Sequence, residues 1–417
     1  MQSAEHIAGS GDETRGSSSV PVERRDLCSR VGVAFVSVTR DSALRAALPP
    51  FLATRTAVLA AGYLAVVIIG FPDDANPFRI SWNEFVNLPA RWDTEWYLRI
   101  AESGYSWNGD PTTPQTVVFF PALPLLMRGG AFVTGSLVSG GLLMALAAFL
   151  GALVYLYRLT NSLIGHDKAV STIWLLAAYP FAVYFGTPYT ESIFLLACTG
   201  AFFHLTRDEP SVSAVWGLLA GLTRLNGFFL AAPLALIVLQ MALATRTLRA
   251  RDLLPVITPV VGVLVFSAYL WWRFDSPMGW VEGQGAWGRA YGGFIPTIRD
   301  LATSRFERIA RIGLYGYTSE APFDFLHSLA AMLALTSVWP IWRRFGSPYA
   351  VFVGMNVLSS LVSGGTMSVG RMTSVLFPMF MAAGAILPAR HVPALVAASC
   401  VLQGLIAAAF FTWRAAY

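Results

Sequence analysis

Long apolar runs recur along the chain, separated by short stretches rich in arginine, glycine or proline. A helix needs about 17 to 25 apolar residues to cross a bilayer, because each residue adds only ~1.5 Å of length. Only 13% of the residues are charged, whereas soluble globular proteins carry about 25%. The sequence therefore predicts an all-α, polytopic membrane protein and excludes a soluble globular one.

Arginines in short loops indicate the orientation, since cytoplasmic loops carry an excess of positive charge. Arg40 and Arg45 precede the first apolar run, and further arginines cluster at 246–251 and 343–344. These positions place the N-terminus in the cytoplasm and the C-terminus outside. We expect about eleven transmembrane helices, near 52–71, 137–157, 169–186, 190–206, 211–224, 226–245, 254–273, 327–343, 348–364, 374–388 and 392–412.

The remaining segments define the predicted domain organisation. Residues 1–46 are polar and interrupted by Gly, Ser and Pro, which is typical of a disordered cytoplasmic tail. Residues 47–417 are expected to form a single transmembrane domain with large outer loops at 72–136 and 274–326. Within the first loop, prolines and an arginine interrupt 117–134. We expect that piece to be interfacial or re-entrant, since a regular spanning helix tolerates neither well.

The first outer loop contains a carboxylate, Asp93, that lies between Trp92 and Trp96 and is followed by Tyr97. A carboxylate near a low-dielectric surface can act as a general base toward a sugar hydroxyl. The alternative is structural, because aspartate is also a preferred helix N-cap. The residues alone leave both roles open.

A helix over 92–103 would place the two tryptophans and Ile100 on one stripe, at spacings of i, i+4 and i+8. Glu95 and Arg99 would form an i, i+4 ion pair on its outer side. We expect this helix to lie flat on the membrane surface with its indole rings at headgroup depth.

Two arginines interrupt apolar surroundings. Arg371 precedes an apolar run and suits a phosphate, although an interfacial arginine can also snorkel. Arg224 lies inside an apolar stretch, where a charge is costly and indicates function unless it pairs with an acid such as Glu191. Glu191 begins a predicted span, so its charge also suits the helix dipole there.

The second outer loop combines aromatic and polar side chains in the stretch WWRFDSPMGWVEGQGAWGR. Gln284, Trp287 and Arg289 in this stretch are candidates for binding a sugar, because aromatic faces and amides contact sugar rings. Tryptophans are also routine at membrane interfaces. The stretch alone therefore favours neither role.

Several classes of site are not supported by the sequence. The three cysteines are far apart and the five histidines form no HxxxH or HxH spacing, so neither a disulfide framework nor a metal site is predicted. No glycine-rich nucleotide loop in a strand–turn–helix context is present. The excess positive charge reports orientation, and no nucleic-acid partner is expected.

Six short segments after residue 90 resemble, in order, motifs of the PIG-V family of mannosyltransferases, which belongs to the GT-C class of polytopic glycosyltransferases. The segments are ARWDTEWYLRIAESGY, VVFFPALPLL, AAYPFAVYFGTPYTESIFLL, GLTRLNGF, FDSPMGWVEGQGAWGR and SVGRMTSVLFP.

The resemblance implies a GT-C-like fold and an inverting transfer of mannose. The implied donor is a polyprenyl-phosphate mannose, and the acceptor a lipid-linked or cell-envelope glycan at the outer face of a bacterial inner membrane. It implies that Asp93 is the catalytic base and that Arg371 binds the donor phosphate. We add Arg224 as a second phosphate ligand. The other predicted substrate contacts are Trp92, Trp96, Tyr97, Glu191, Gln284, Trp287 and Arg289. No nucleotide is implied, and a metal cofactor is not expected, although members of the class differ in their use of one. Membrane lipids are the expected surroundings.

Three alternatives remain open at this point. The donor sugar could be glucose, galactose or a pentose, since members of the class share their architecture. A transporter or flippase of envelope lipids would instead place ionisable residues near mid-membrane in several spans. The third alternative is a non-catalytic partner in an envelope assembly. The clustering of predicted polar residues at one face favours the enzyme.

Overall fold

A computed structural model describes residues 41–289, 322–364 and 368–414, and all regular secondary structure in these ranges is helical. The prediction of an all-α, multi-pass membrane protein is confirmed. The α-helices are Ser42–Ile68, Glu84–Asn87, Thr94–Ser103, Ala122–Thr134, Leu137–Ile164, His166–Ala177, Thr190–Leu205, Pro210–Thr223, Ala231–Thr245, Leu254–Phe274, Gly279–Glu282, Pro322–Phe345, Ser347–Gly364, Val369–Thr373, Phe377–Ile386 and Val392–Phe411.

Six helical stretches in the described residues are long and apolar enough to cross a membrane, or seven if one bent pair counts as a span. The six are Ser42–Ile68, Leu137–Ile164, Leu225–Thr245, Ala250–Phe274, Phe325–Phe345 and Ala389–Phe411. Four further predicted spans coincide with shorter apolar helices, Thr190–Leu205, Pro210–Thr223, Ser347–Ser363 and Phe377–Ile386. The count of eleven transmembrane helices is therefore not confirmed.

The predicted interfacial piece contains the helix Ala122–Thr134, which has 13 residues. Its length of about 20 Å is less than the roughly 30 Å of a bilayer core. Its location at the membrane surface stays a prediction.

The predicted span 169–186 is not one regular helix. The helix His166–Ala177 and the 3₁₀ segment Pro180–Gly186 meet at a bend of 80°. Proline cannot continue the backbone ladder, so carbonyl groups at the break need other donors. The buried side chain of Arg55 donates to Ala177 O and Ala182 O over 3.2 and 2.6 Å. This break redirects the chain toward Glu191.

The helix that ends next to Arg224, Pro210–Thr223, crosses Leu254–Phe274 at close range. A Cβ atom on Gly221 would lie 2.1 Å from Pro259 O, so only glycine permits this approach. The close crossing fixes the end of Pro210–Thr223 and therefore the backbone position of Arg224.

The predicted polar tail and the predicted second outer loop lie partly outside the described residues. The first helix begins at Ser42, before the predicted end of the polar tail at residue 46. The rest of that tail, 1–40, lies outside the described residues. So do positions 290–321 of the predicted second outer loop.

Candidate active site

The segment before Asp93 is fixed against the last helix, Val392–Phe411. Arg91 is fully buried and donates from Nε to Phe411 O over 2.9 Å. Trp92 donates from Nε1 to Phe410 O over 3.0 Å. These two bonds determine where the following carboxylate lies.

Trp92 does not belong to the following helix. Its φ of 50° lies in the left-handed region, which bulky residues rarely adopt, and the helix begins only at Thr94. The predicted stripe of Trp92, Trp96 and Ile100 is therefore wrong. The i, i+4 ion pair is confirmed, since Arg99 lies 2.5 Å from Glu95.

The two tryptophans pack against other rings of the protein, and their location at headgroup depth stays a prediction. Trp92 contacts Trp413, with ring centroids 4.8 Å apart. Trp96 stacks on Phe119 and meets the edge of Trp287, at centroid separations of 5.9 and 5.2 Å. Long-range contacts thus decided the orientation of both indoles.

Asp93 occupies the N-cap position of the helix Thr94–Ser103, yet its side chain makes no capping hydrogen bond. The carboxylate instead accepts from Arg371, with Nη1 and Oδ2 separated by 2.6 Å. The backbone N–H of Asp93 donates to the Tyr189 hydroxyl over 3.0 Å. The capping alternative therefore does not explain this residue.

Arg371 is the centre of the charged groups. Its Nε donates to Glu191 Oε1 and its Nη1 to Asp93 Oδ2. The guanidinium lies over the ring of Tyr189 at 4.5 Å and over that of Tyr184 at 5.2 Å. Its Nη2 makes no hydrogen bond to any described residue, so one arm of the fork remains available to a ligand.

Glu191 joins the two predicted phosphate ligands. Its side chain is fully buried, and Oε1 accepts from Arg371 and, over 3.2 Å, from Arg224. Arg224 also donates from Nη2 to the Met372 sulfur over 2.8 Å. The pairing of Arg224 with Glu191, expected from sequence as an alternative to a ligand role, is present.

Tyr189 links the first loop to the arginines. Its hydroxyl donates to Arg91 O over 3.2 Å and accepts the Asp93 N–H. Burial, followed by the charge of Asp93, raises the pKa of this hydroxyl well above its ordinary value. Tyr189 therefore stays protonated and can keep both hydrogen bonds.

Aromatic side chains form a wall of the cavity that Arg371 also lines. Trp96, Phe119 and Trp287 form its centre, and Tyr97 meets the edge of Phe119 with centroids 5.0 Å apart. Burial raises the pKa of Tyr97 above its ordinary value, so its hydroxyl is neutral. Gln284, on the neighbouring segment, donates to Trp280 O over 3.4 Å.

Arg289 faces the same space and makes no ion pair with a carboxylate in residues 41–289, 322–364 and 368–414. Burial, followed by the positive charge of Arg371, lowers the pKa of Arg289 from its ordinary value. An anion nearby would offset both effects.

One cavity of about 660 Å³ brings these groups together. Nine of the ten sequence-predicted residues line it, namely Trp92, Asp93, Trp96, Tyr97, Arg224, Gln284, Trp287, Arg289 and Arg371. Glu191 does not line it; its side chain is fully buried and pairs with Arg371 and Arg224. The prediction that Glu191 contacts substrate is therefore not supported by its position.

Sequence reasoning missed several lining residues, including Tyr184, Tyr189, Phe119 and Asn226. Tyr189 lies two positions before Glu191, and Phe119 begins the FFP segment, so motif proximity was the one available signal. Among the described residues, no group of three or more His, Cys, Asp or Glu side chains is placed to hold a metal ion.

Comparison with known proteins identifies the family of this chain. The family model for Mannosyltransferase (PIG-V) matches residues 52–274, just over half of the chain. The protein belongs to the PIG-V mannosyltransferase family. This confirms the resemblance read from the motifs. The matched part of this PIG-V protein includes Asp93, Glu191 and Arg224 and ends before Arg371. No curated protein matches the sequence.

Two solved structures are similar to this PIG-V protein in fold. An Archaeoglobus fulgidus oligosaccharyltransferase, solved with Zn and sulfate, shares 16% identity at a TM-score of 0.44 and covers 85% of this chain. ArnT from Cupriavidus metallidurans, bound to undecaprenyl phosphate, shares 14% identity at a TM-score of 0.45 and covers 81%. The chain spans 53% and 62% of the length of these two structures.

Proposed function

We propose that this protein is an inverting mannosyltransferase that uses a polyprenyl-phosphate mannose donor and Asp93 as its general base. Family membership supports a membrane glycosyltransferase. The sugar, the donor lipid, the acceptor and the side of the membrane are parts of the proposal.

The observation that carries the proposal is the different environment of the two oxygens of Asp93. Oδ2 is held by Arg371, whereas Oδ1 makes no hydrogen bond to any residue that the structure describes. The side chain is 26% exposed and lines the cavity. A carboxylate oriented through one oxygen can receive a proton on the other, which is what a positioned general base requires.

In the proposed reaction, an acceptor hydroxyl donates its proton to Asp93 Oδ1 while its oxygen attacks the anomeric carbon. The bond from that carbon to the phosphate oxygen breaks, and its electron pair stays on the phosphate. Attack from the face opposite the phosphate inverts the configuration. The product lipid is then a phosphomonoester.

Arginines near the cavity supply stabilisation for the charge that develops on the phosphate. Arg371 offers its unpaired Nη2, and Arg289 faces the cavity without a carboxylate partner in the described chain. Guanidinium–phosphate hydrogen bonds are strong and match the geometry of two oxygens. Because the leaving group is stabilised in this way, it needs no acid to protonate it.

The aromatic wall is suited to the sugar. Trp96, Phe119 and Trp287 line the same cavity as the arginines and offer apolar faces to the C–H groups of a pyranose ring. The buried indole N–H of Trp287 has no acceptor among the described residues. A sugar hydroxyl would satisfy it.

The acceptor is proposed to be a lipid-linked or cell-envelope glycan, reached at the outer face of a bacterial inner membrane. The basis for this orientation is the distribution of arginine in the short loops, which favours the opposite side for the cavity-bearing segments.

The test is transfer of radiolabelled mannose from a polyprenyl-phosphate donor to lipid extract, in membranes that carry wild type, Asp93→Asn or the control Asp74→Asn. Asp74 is an exposed acid in the same predicted loop and does not line the cavity. Wild type and control should transfer equally, and Asp93→Asn should lose about a hundredfold to ten-thousandfold in rate. Equal transfer by Asp93→Asn would remove Asp93 from the reaction. Donors carrying glucose or a pentose in parallel test the choice of sugar.

A further inference from the structure

A set of five charged side chains among the described residues lies at the cavity or pairs with its arginines. The set, here called the arginine cluster, consists of Asp93, Glu191, Arg224, Arg289 and Arg371. Among the residues that the structure describes, one other charged side chain lines the cavity, Glu95, and its charge is offset by Arg99. Three guanidiniums and two carboxylates leave the cluster with one net positive charge.

This net charge equals, with opposite sign, the charge of a phosphodiester. A sugar–phosphate–lipid donor carries one negative charge, whereas a phosphomonoester carries close to two above its second pKa of about 6. In the proposed reaction the proton that leaves the acceptor goes to Asp93, so the cluster gains one positive charge as the lipid phosphate gains one negative charge. The total charge is conserved, so the positive charge of the cluster still equals the negative charge of the ligand.

We infer that the arginine cluster is charged to hold the singly charged donor, and that it holds the doubly charged product only until Asp93, whose side chain is partly exposed, releases its proton to solvent water. When Asp93 ionises again, the cluster returns to one positive charge, and the product is left with excess negative charge. The inference rests on the proposed function and adds to it the step that releases polyprenyl phosphate.

Glu191 has a specific role in this charge match. Its carboxylate does not reach the cavity, but it orients Arg371 and Arg224 and removes one charge from the cluster. It is a positioning residue that also limits affinity for the product. A role limited to holding structure predicts that its loss weakens binding, whereas the charge match predicts that neutralising it strengthens binding.

The experiment measures dissociation constants of purified full-length protein at pH 8 for a short-chain polyprenyl phosphate and for the corresponding phosphate mannose. Wild type is compared with Asp93→Asn and Glu191→Gln, each of which adds one positive charge and keeps an oxygen that accepts from arginine. Both variants should bind the monoester at least about tenfold more tightly, given the strength of charge interactions at partly buried sites. Both variants should bind the diester only about threefold more tightly than wild type does, because an added charge interacts half as strongly with a monoanion as with a dianion.

Two controls accompany these variants. Glu95→Gln removes a carboxylate that lines the cavity outside the cluster, and its affinity for the monoester should rise by no more than about twofold. Polyprenol lacks the phosphate, and the two cluster variants should bind it no more than about twofold more tightly than wild type does. Unchanged or weaker binding of the monoester by both cluster variants would overturn the inference, as would an equal gain for Glu95→Gln. Transfer by wild type, measured on the same preparations, tests the proposed function separately.

Discussion

Arg371 donates from Nη1 to Asp93 Oδ2 across 2.6 Å, although the two residues are 278 positions apart in the chain. The same guanidinium donates from Nε to the buried Glu191. One side chain thus orients the proposed base and remains able to bind a phosphate through Nη2. This arrangement makes the site sensitive to the shape of the cation as well as to its charge.

Arg371→Lys should lower transfer at least tenfold and raise the KM for the donor. A lysine ammonium is a point charge that cannot reach Asp93, Glu191 and a phosphate together. The measurement is steady-state kinetics with varied donor. Arg343→Lys is a matched control, since Arg343 is exposed on another helix and does not line the cavity. Unchanged donor kinetics for Arg371→Lys would remove Arg371 from the phosphate site.

Glu191→Leu should destabilise the fold by about 3 to 5 kcal/mol, because it leaves Arg371 and Arg224 without their shared buried counter-ion. Glu191→Gln should cost less, since the amide oxygen still accepts from both guanidiniums. Thermal unfolding of the purified variants in detergent measures the difference. Equal stability of the two variants would show that the shared ion pair does not hold this region together.

Tyr189→Phe should reduce transfer about tenfold while leaving the ring over Arg371 in place. The hydroxyl bridges the Asp93 N–H and Arg91 O, and loss of a bridge leaves buried groups unpaired at about 1 to 3 kcal/mol. The rate of mannose transfer is the measurement. Tyr155→Phe, whose hydroxyl instead bonds to His204 over 2.9 Å, should retain wild-type transfer. A larger loss of transfer in Tyr155→Phe than in Tyr189→Phe would indicate a general packing effect.

Trp96→Ala should raise the KM for the donor several-fold with a smaller effect on kcat, because it removes part of the wall proposed to contact the sugar. Aromatic pairs such as Trp96 and Phe119 contribute about 0.5 to 1.5 kcal/mol beyond the area they bury. Trp82→Ala is the control, since that side chain is fully exposed. A fall in kcat alone would place Trp96 in the support of Asp93 instead.

Much of the architecture could be predicted from the sequence, because burial in lipid leaves a signal in each segment separately. Each of the eleven predicted spans coincides with helical structure. The two prolines before Met127 correctly predicted that this part of the first outer loop forms no long helix. The length of each span was harder to predict. The break after Ala177 depends on Arg55, which is far away in sequence.

The sequence by itself determined the membrane class, the family and the identity of the polar residues near the site, since composition and short ordered motifs carry that information. Only the tertiary structure decided which contacts these residues make. Trp92 lies outside the predicted helical stripe and donates to Phe410 O, and Glu191 accepts from Arg371 without lining the cavity. The physical reason is that hydrogen bonds and ion pairs act through space, so the partners of a buried charge depend on how distant helices pack.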